Sequence, residues 1–379
     1  MGDFRQVKVL ELGRVFSGPL CGMVLADMGA RVLKVERPGV GDESRRFGRH
    51  RAGGESCYFN SLNRNKRSIA LNLKGETDAA LFSELITKAD VLVHNWIQAS
   101  LDRLGFSWEQ VHALNPRLIY CAISGYGPHT SFAARPAQDI IAQALSGFMS
   151  LTGEPGGHPL KSAIPVVDFA TGLYAATSIN AALFQRESTG RGQLIRLSLL
   201  QTALAMTSFA GASQLSCGAE PSRSGNRHPS ICPYNLYATV DGFVVLAVAN
   251  DAMWLRCCEA LALPNQAADP RLATNRGRLE HQDELELVLE ARFGALGTAD
   301  LVATLEGHKV SCAQVNTMAQ AFEHAPVAEL GMTEAVGQDQ GEVRFVGSPV
   351  YMSDTEPVET TTPPALSADE DEVRRTRDW

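Results

Sequence analysis

The carboxylate of Asp168 stands in an apolar stretch, SAIPVVDFATGLYAATSINAALF, with two valines before it and a phenylalanine after it. An unpaired carboxylate in an apolar site loses solvation, so its pKa rises until the group becomes neutral. Two explanations fit this residue. Asp168 is either the N-cap of a helix over 169–186, accepting backbone N–H bonds, or a working carboxylate held at a helix start in a cleft.

A second set of polar residues lies at the end of predicted strands or follows them. Cationic side chains there suit a phosphate-rich ligand, because a guanidinium binds phosphate oxygens as a fork. A solvated surface charge is the alternative at each position. If the strands are parallel, their carboxyl ends meet along one edge, where open α/β sheets bind ligands. The residues are Arg37, Asn72, Lys74, Asn95 and Arg103. The basic run ESRRFGRHR at 43–51, which includes Arg46, is either a solvated loop or a contact for an anionic substrate.

Alternating strand and helix patterns over the first 125 residues must position these side chains. Such alternation predicts crossover helices and a mainly parallel sheet. Strands are predicted at 8–13, 31–36, 67–73, 90–96 and 117–126, with a turn at 37–39 and helices at 18–30 and 76–88. Further along, helices are predicted over 140–153 and 169–186, and a strand over 194–200.

The chain is long for one hydrophobic core, at 379 residues, which favours two domains. We predict a large α/β domain over 1–205, a linker over 206–224 and a smaller α+β domain over 225–320. The smaller domain contains a hairpin about Asp241 and Gly242. The segment 321–379 is predicted to return to the large domain.

Composition argues against several classes of protein. A net charge of -8 disfavours broad binding to nucleic acid or to an acidic membrane surface. No uninterrupted apolar run has the length of a membrane span, and the N-terminus has no apolar signal region. The eight cysteines form no C-x-x-C pair, which indicates free thiols, a reducing cytoplasmic location and no metal site.

Familiar cofactor and hydrolase motifs are also absent. The turn ELGRVFSGP lacks both G-x-G-x-x-G and the P-loop lysine, so neither the NAD nor the P-loop pattern is met. Glu36 stands where NAD enzymes keep a ribose-binding acid, but the adjacent Arg37 indicates a phosphate partner instead. No G-x-S-x-G motif indicates an α/β-hydrolase.

Several segments together resemble family III CoA-transferases. The similarity covers about residues 7–330 in order, and PVVDFATGLYAATSINAALFQRESTGRGQLIRLSLL is its most specific part. The other segments include VLELGRVFSGPLCGMVLADMGARVLKVERPGVGDESR, YFNSLNRNKRSIALNLK, NPRLIYCAISGYG and GNRHPSICPYNLYATVDGFVVLAV. The resemblance implies a large Rossmann-like domain, a small domain and an interlocked homodimer.

The resemblance also implies roles for residues. Asp168 matches the family's nucleophile, which attacks an acyl-CoA to form an aspartyl anhydride and then a thioester. The family's CoA contacts fall on Val15, Phe16, Arg37, Leu71, Asn72, Leu73, Lys74, Asn95, Trp96 and Arg103. CoA and acyl-CoA enter as substrates, and no permanently bound cofactor is expected. The partners implied are an acyl-CoA, a small carboxylic acid and a second copy of the chain.

A 2-methylacyl-CoA racemase is the alternative within this superfamily. Its histidine base falls on Gln138, which precedes Asp139, and glutamine cannot act as a general base. The nearest other histidine, His129, lies nine residues upstream of Gln138. Asp139 is then either a substrate-facing acid or the N-cap of a helix over 140–148. A non-catalytic CoA-binding protein is the third possibility.

Substrate identity is only weakly indicated. The Gly-rich loop of the oxalate-using branch has no counterpart, which disfavours oxalate as the acceptor. The stretch GNRHPSICPY is similar to members that handle succinyl-CoA and C4–C6 dicarboxylic acids. Arg227 or His228 would hold a distal carboxylate there, and a turn-stabilising role is the alternative for both.

Overall fold

Two compact units make up the computed structural model, which describes residues 4–50, 54–337 and 342–379. The first unit comprises Met1–Met149, Lys161–Ala219 and Ala328–Trp379, and the second comprises Ser150–Leu160 and Glu220–Val327. The second unit therefore includes an early segment, 150–160, that the sequence pattern did not separate from the large domain. Arg51, the last residue of the predicted basic run, lies outside the described residues.

A six-stranded parallel sheet forms the centre of the first unit, in the order β3-β2-β1-β4-β5-β6. The strands from β1 to β5 carry buried apolar residues on both faces, which is typical of a parallel sheet covered by helices, whereas the edge strand β6 is only partly buried. The parallel sheet predicted from the alternating pattern is thus confirmed. The strands are β1 (Lys8–Leu12), β2 (Arg31–Glu36), β3 (Lys66–Ala70), β4 (Val91–His94), β5 (Ile119–Ser124) and β6 (Leu194–Ser198).

Helices cover both faces of this sheet. Residues of α1 and α8 form the core on one face, and residues of α3 and α5 form it on the other. The helices are α1 (Ser17–Asp27), α2 (Cys57–Asn60), α3 (Glu76–Lys88), α4 (Gln98–Asp102), α5 (Trp108–Leu114), α6 (Asp139–Leu145), α7 (Phe148–Leu151), α8 (Val166–Thr189), α9 (Leu199–Met206) and α10 (Ser208–Cys217). Helix α10 occupies much of the segment predicted as a linker.

Two helix predictions need correction. The helix expected over 140–153 is divided into α6 and α7, because the intervening Gly147 has a φ of +82°, which breaks the helical path. Helix α8 begins at Val166, three residues before the predicted start, and its N-cap is Pro165. Asp168 therefore lies within the first turn and is not the N-cap.

Close packing at Gly172 brings the start of α8 against the start of α1, and close packing at Gly13 and Gly18 holds α1 against the end of β1. A Cβ at Gly172 would lie 2.9 Å from the carbonyl oxygen of Ser17, so a side chain there would separate the two helices. A Cβ at Gly18 would lie 2.7 Å from the Cα of Gly13, which joins the end of β1 to α1. These contacts place Ser17 and Asp168 on neighbouring first turns.

The second unit contains a three-stranded antiparallel sheet, in the order β7-β8-β9, and mostly short helices. The hairpin predicted about Asp241 and Gly242 is confirmed by the pairing of β7 with β8. The strands are β7 (Tyr234–Ala238), β8 (Phe243–Ala247) and β9 (Cys312–Gln314). The helices are α11 (Asp251–Ala260), α12 (Pro264–Ala268), α13 (Asn275–Glu280), α14 (Gln282–Phe293), α15 (Thr298–Gly307) and α16 (Met318–Glu323), with α17 (Ala325–Glu329) at the boundary of the unit.

The C-terminal segment packs on the edge of the parallel sheet. It contains the antiparallel strands β10 (Thr333–Val336) and β11 (Val343–Val346), followed by α18 (Glu370–Thr376). Asp369 accepts a hydrogen bond from the backbone N–H of Ser68 in β3 at 2.8 Å. The buried indole of Trp379 donates to the carbonyl oxygen of Arg31 at 2.9 Å.

All eight cysteines are free thiols, and five of them are buried. Among the described helices, none combines the length and the apolar composition needed to cross a membrane.

Candidate active site

Two cavities open along the carboxyl edge of the parallel sheet. The first has a volume of about 420 Å³, and the second has a volume of about 900 Å³. They are contiguous, because four residues line both: Arg14, Glu43, Trp96 and Ile97. An elongated ligand could therefore extend from one cavity into the other along the strand ends.

The first cavity carries cations on a partly apolar floor. The exposed side chains of Arg37 and Lys74 line it, as does Asn72. Leu71 and Leu73 line it too, but their side chains are buried in the core between the sheet and α3. Asn72 and Lys74 alternate with them on the turn that follows β3 and are exposed, so only this polar pair reaches outward.

The turn that follows β1 is held by the side chain of Asn95. Its Oδ1 accepts from the backbone N–H of Arg14 at 2.8 Å, and its Nδ2 donates to the Arg14 carbonyl at 2.7 Å. The next residue, Val15, has a φ of +64°, which is a strained conformation for a β-branched residue. The backbone N–H of Val15 donates to Asp42 at 3.1 Å. These hydrogen bonds thus hold the turn in a backbone conformation that valine would not adopt freely.

Buried charges lie directly beneath this turn. The ammonium of Lys34 contacts Glu11 at 2.8 Å, Asp42 at 2.9 Å and the Gly13 carbonyl at 2.9 Å. Burial favours a raised pKa for Asp42, but the charge of Lys34 and hydrogen bonds from Ser44 outweigh it and lower the pKa to about 2. Asp42 is therefore a permanently charged anchor for the Val15 turn.

Glu36, which stands where NAD enzymes keep a ribose-binding acid, has a structural role instead. The Glu36 carboxylate binds the guanidinium of Arg45 at 2.7 Å and the hydroxyl of Ser68 at 2.7 Å. Arg45 is buried and also pairs with Glu55 at 2.7 Å. Part of the predicted basic run is therefore folded inward, and its charge is neutralised by protein carboxylates.

The first turn of α8 is capped by a residue from another helix. One oxygen of Asp139 accepts from the backbone N–H groups of Val167 and Asp168, at 2.8 and 3.0 Å. The other oxygen accepts from the buried side chain of Gln143. The N-cap position of α6 is Gln138, so the expectation that Asp139 caps its own helix is wrong. Its carboxylate fixes the backbone of Asp168 instead.

The carboxylate of Asp168 lies in the second cavity beside aromatic rings. Burial, together with the negative charge of Asp139, raises its pKa to about 7, and a hydrogen bond from Ser17 acts in the opposite direction. The ring centre of Phe16 is 6.1 Å from that of Tyr58 and 6.3 Å from that of Phe169. Burial and the neighbouring Asp168 raise the pKa of Tyr58 to about 12. A poorly solvated carboxylate of this kind is suited to nucleophilic attack.

Most of the residues predicted for the site line one of the two cavities. Those in the second cavity are Val15, Phe16, Asn95, Trp96, Gln138, Asp139 and Asp168. Arg46 and Arg103 are exposed and lie outside both linings. His129, the histidine nearest to the racemase motif, also lies outside them.

Arg227 and His228 belong to the second unit. The Arg227 guanidinium forms an ion pair with Asp283 at 2.8 Å. The imidazole of His228 accepts from the backbone N–H of Ser230 at 3.0 Å. The Arg227 contact ties this stretch to α14, and the His228 contact lies within the turn itself.

Sequence reasoning missed many residues of this lining, among them Ser17, Tyr58, His94 and Lys161. Ser17 directly follows the predicted Val15 and Phe16, and Lys161 shortly precedes α8, so proximity to predicted site residues was the available signal. His94 is buried, and its Nδ1 accepts from the backbone N–H of Trp96 at 3.3 Å. Burial lowers its pKa to about 3, so the imidazole is neutral at physiological pH.

Comparison with known proteins identifies similar chains over nearly the whole length. The model of CoA-transferase family III matches residues 4–370. A protein of Agrobacterium fabrum named succinate–glutarate CoA-transferase is 38% identical, over 92% of this chain and 89% of its own. The acetyl-CoA:oxalate CoA-transferase of Acetobacter aceti is 36% identical, over 93% of this chain and 90% of its own. The crystal structure of a CaiB/BaiF family protein from Brucella suis superposes with a TM-score of 0.89 at 34% identity, covering 98% of both chains.

Proposed function

Because the chain belongs to CoA-transferase family III and is an acyl-CoA:carboxylate CoA-transferase, we propose that Asp168 is its nucleophile. The observation that carries this proposal is the setting of Asp168. Its carboxylate faces a cavity of about 900 Å³, and burial raises its pKa to about 7. Its backbone is held by Asp139, so a poorly solvated nucleophile is presented in a defined position.

The two cavities together suit CoA. In this proposal Arg37 and Lys74 bind phosphate groups, since both cations are exposed in the first cavity. The pantetheine arm passes the shared residue Trp96 and the turn formed by Val15 and Phe16. The thioester then reaches Asp168 in the second cavity. Leu71 and Leu73 would contribute backbone groups, because their side chains are buried.

Transfer proceeds through covalent steps that balance without an added oxidant or reductant. An Asp168 oxygen attacks the thioester carbonyl, the C–S bond breaks, and an aspartyl anhydride and CoA thiolate form. The thiolate attacks the Asp168 carbonyl, which releases the donor acid as a carboxylate and leaves an aspartyl-CoA thioester. The acceptor carboxylate repeats the sequence in reverse and leaves as the new acyl-CoA. In this proposal the N–H groups at the start of α1, beside Ser17, stabilise the tetrahedral oxyanions.

Dicarboxylic acids are the proposed substrate class, with succinyl-CoA as the donor. The sequence of the 225–234 stretch supports this choice, and so does the similarity to the succinate–glutarate enzyme. The test is a screen of acyl-CoA donors against carboxylic acids, with CoA exchange followed by mass spectrometry. Exchange with succinate and glutarate is expected. A protein that exchanges CoA with no carboxylic acid would contradict the proposed function, and a marked preference for oxalate would contradict the proposed substrate class.

Activity should depend on the ionisation of Asp168. Because its pKa is raised to about 7 and only the carboxylate is nucleophilic, kcat/KM for the acyl-CoA is expected to rise with pH through about 7. Replacing Asp139 by Asn removes a neighbouring negative charge, so the rise in kcat/KM should occur at lower pH. Initial rates from pH 5 to pH 9 test both statements. An unchanged midpoint in the Asp139→Asn variant would argue against the assignment.

We also propose that the protein is a homodimer. Several apolar side chains of α8 and α10 are exposed in the single chain, and such surface is commonly covered by a partner. They are Phe169 (42%), Leu173 (42%), Tyr174 (50%), Phe184 (68%), Phe209 (64%) and Leu215 (89%). Light scattering is expected to give about twice the 40.9 kDa chain mass, whereas a value equal to one chain would refute the dimer. The Rossmann-like assignment, the interlocking of the two chains and the cytoplasmic location stay predictions.

A further inference from the structure

The second cavity presents an electrostatic problem to an acid substrate. Asp139 and Asp168 both line it, and a dicarboxylic acid brings two further negative charges. Like charges at close range in a partly desolvated site repel one another strongly. A cation beside the nucleophile is therefore needed. The lining offers four: Arg14, Arg135, Lys161 and Arg196.

Three of these cations, Arg14, Arg135 and Arg196, differ from one another in their contacts and position. Arg14 forms an ion pair with Glu43 at 3.0 Å. The guanidinium of Arg135 lies 3.7 Å from the ring centre of Phe132, in a cation–π contact. Arg196 is exposed on β6, the edge strand of the sheet that pairs with β5.

Lys161 differs from these three because its neighbour Ser162 is linked to Asp168 through hydrogen bonds. Its ammonium donates to the backbone carbonyl of the adjacent Ser162 at 3.0 Å, and the side chain is exposed. Over the ranges that the structure describes, no carboxylate forms an ion pair with it. An ammonium with three donors and one carbonyl partner keeps capacity to bind an anion.

Hydrogen bonds tie the backbone next to Lys161 to the nucleophile. The N–H of Ser162 donates to the side-chain oxygen of Gln143 at 3.0 Å. Gln143 is fully buried, and its amide group donates to Asp139. Asp139 in turn accepts from the N–H of Asp168 at 3.0 Å. The base of the Lys161 side chain is thus held relative to Asp168 through two buried or half-buried side chains.

We propose that Lys161 binds the second carboxylate of the dicarboxylic substrate while the first reacts at Asp168. The inference rests on the proposed function and assigns the group that selects dicarboxylic over monocarboxylic acids. A lysine suits this role because its flexible four-carbon stem adapts to acids of different length, whereas a guanidinium fork imposes one geometry.

The experiment compares two acceptors of equal chain length, glutarate and pentanoate, with succinyl-CoA as the common donor. Wild-type protein, Lys161→Met, Lys161→Arg and Arg196→Met are assayed by CoA exchange. The Arg196→Met variant removes the same charge from the same cavity. Because the donor is the same in both reactions, its contribution cancels in the ratio of kcat/KM values for glutarate and pentanoate. Thermal unfolding verifies that each variant is folded.

Lys161→Met is expected to lower the glutarate-to-pentanoate ratio about tenfold or more, the range for loss of a charge-assisted hydrogen bond. Lys161→Arg should restore most of it, and Arg196→Met should leave it unchanged. If pentanoate is not used at all, the expected result is a tenfold higher KM for glutarate. Equal losses for both acids, or no loss, would overturn the assignment. If the Lys161 assignment fails while the wild-type protein still exchanges CoA, the proposed function stands. If the wild-type protein exchanges CoA with no acid, the proposed function itself is refuted.

Discussion

Replacement of Asp168 by Asn is expected to reduce CoA transfer by at least about a thousandfold, because an amide cannot form the acyl-enzyme anhydride. Wild-type protein incubated with acyl-CoA should yield a hydroxylamine adduct at Asp168, detectable by peptide mass spectrometry. The Asn variant should yield none, while its affinity for CoA is retained. Full transferase turnover in the Asn variant would refute the nucleophile assignment.

The same substitution should stabilise the fold at neutral and higher pH. The pKa of Asp168 is raised from an ordinary value of 3.8 to about 7, so the folded protein holds a proton that the unfolded chain releases between these values. The free energy of unfolding therefore falls as pH rises through this window. Asparagine carries no charge and avoids the penalty, so the variant is expected to melt a few degrees higher at pH 8. Calorimetry at pH 8 is compared with calorimetry at pH 4, where the side chain at position 168 is neutral in the folded wild-type protein and in the folded variant.

Replacement of Asp42 by Asn is expected to lower the free energy of unfolding by about 3 kcal/mol, since it leaves part of the Lys34 charge unpaired in the interior. Asp42 is 2% exposed and contacts Lys34 at 2.9 Å. The stabilisation is present above a pH of about 4 and is lost as pH falls through about 2, because the folded pKa is depressed. Urea unfolding at pH 7 measures the effect.

A matched control for Asp42 lies next to it in the chain. Glu43 pairs with Arg14 at 3.0 Å, but its side chain is 35% exposed, so Glu43→Gln should cost less than about 1 kcal/mol. Equal losses in the two variants would contradict the burial argument. Loss of the Asp42 anchor should also lower kcat, because the N–H of Val15 then loses its charged acceptor and the turn that carries Phe16 and Ser17 relaxes.

Much of the first unit could be predicted from local pattern. The runs KVLEL, RVLKVE and VLVH are almost wholly apolar or buried, and the first and third predicted strands are each followed by a predicted helix, over 18–30 and 76–88. Such a pattern favours a parallel sheet, because parallel strands are joined by long crossover connections that usually contain a helix. The position of Arg37, Lys74 and Asn95 at one edge followed from that topology alone.

Helix boundaries and capping partners could not be predicted in the same way. The start of α8 at Val166 depends on Asp139, which lies 29 residues before Asp168 in the chain. Local sequence could propose that an acid caps a helix, but it could not show that the acid comes from α6. The inward fold of Arg45 against Glu36 depends likewise on the close approach of two separate segments.

The amino-acid sequence by itself determined the parallel sheet, the family of the protein and the acid at its centre, because these depend on residue type, order and spacing. Only the tertiary structure decided what surrounds that acid. It makes Asp168 a first-turn residue whose backbone is bound by Asp139, and it brings Ser17, Tyr58 and Lys161 into the same cavity. The physical reason is that solvation and charge at a site depend on groups far apart in the chain, which folding alone brings together.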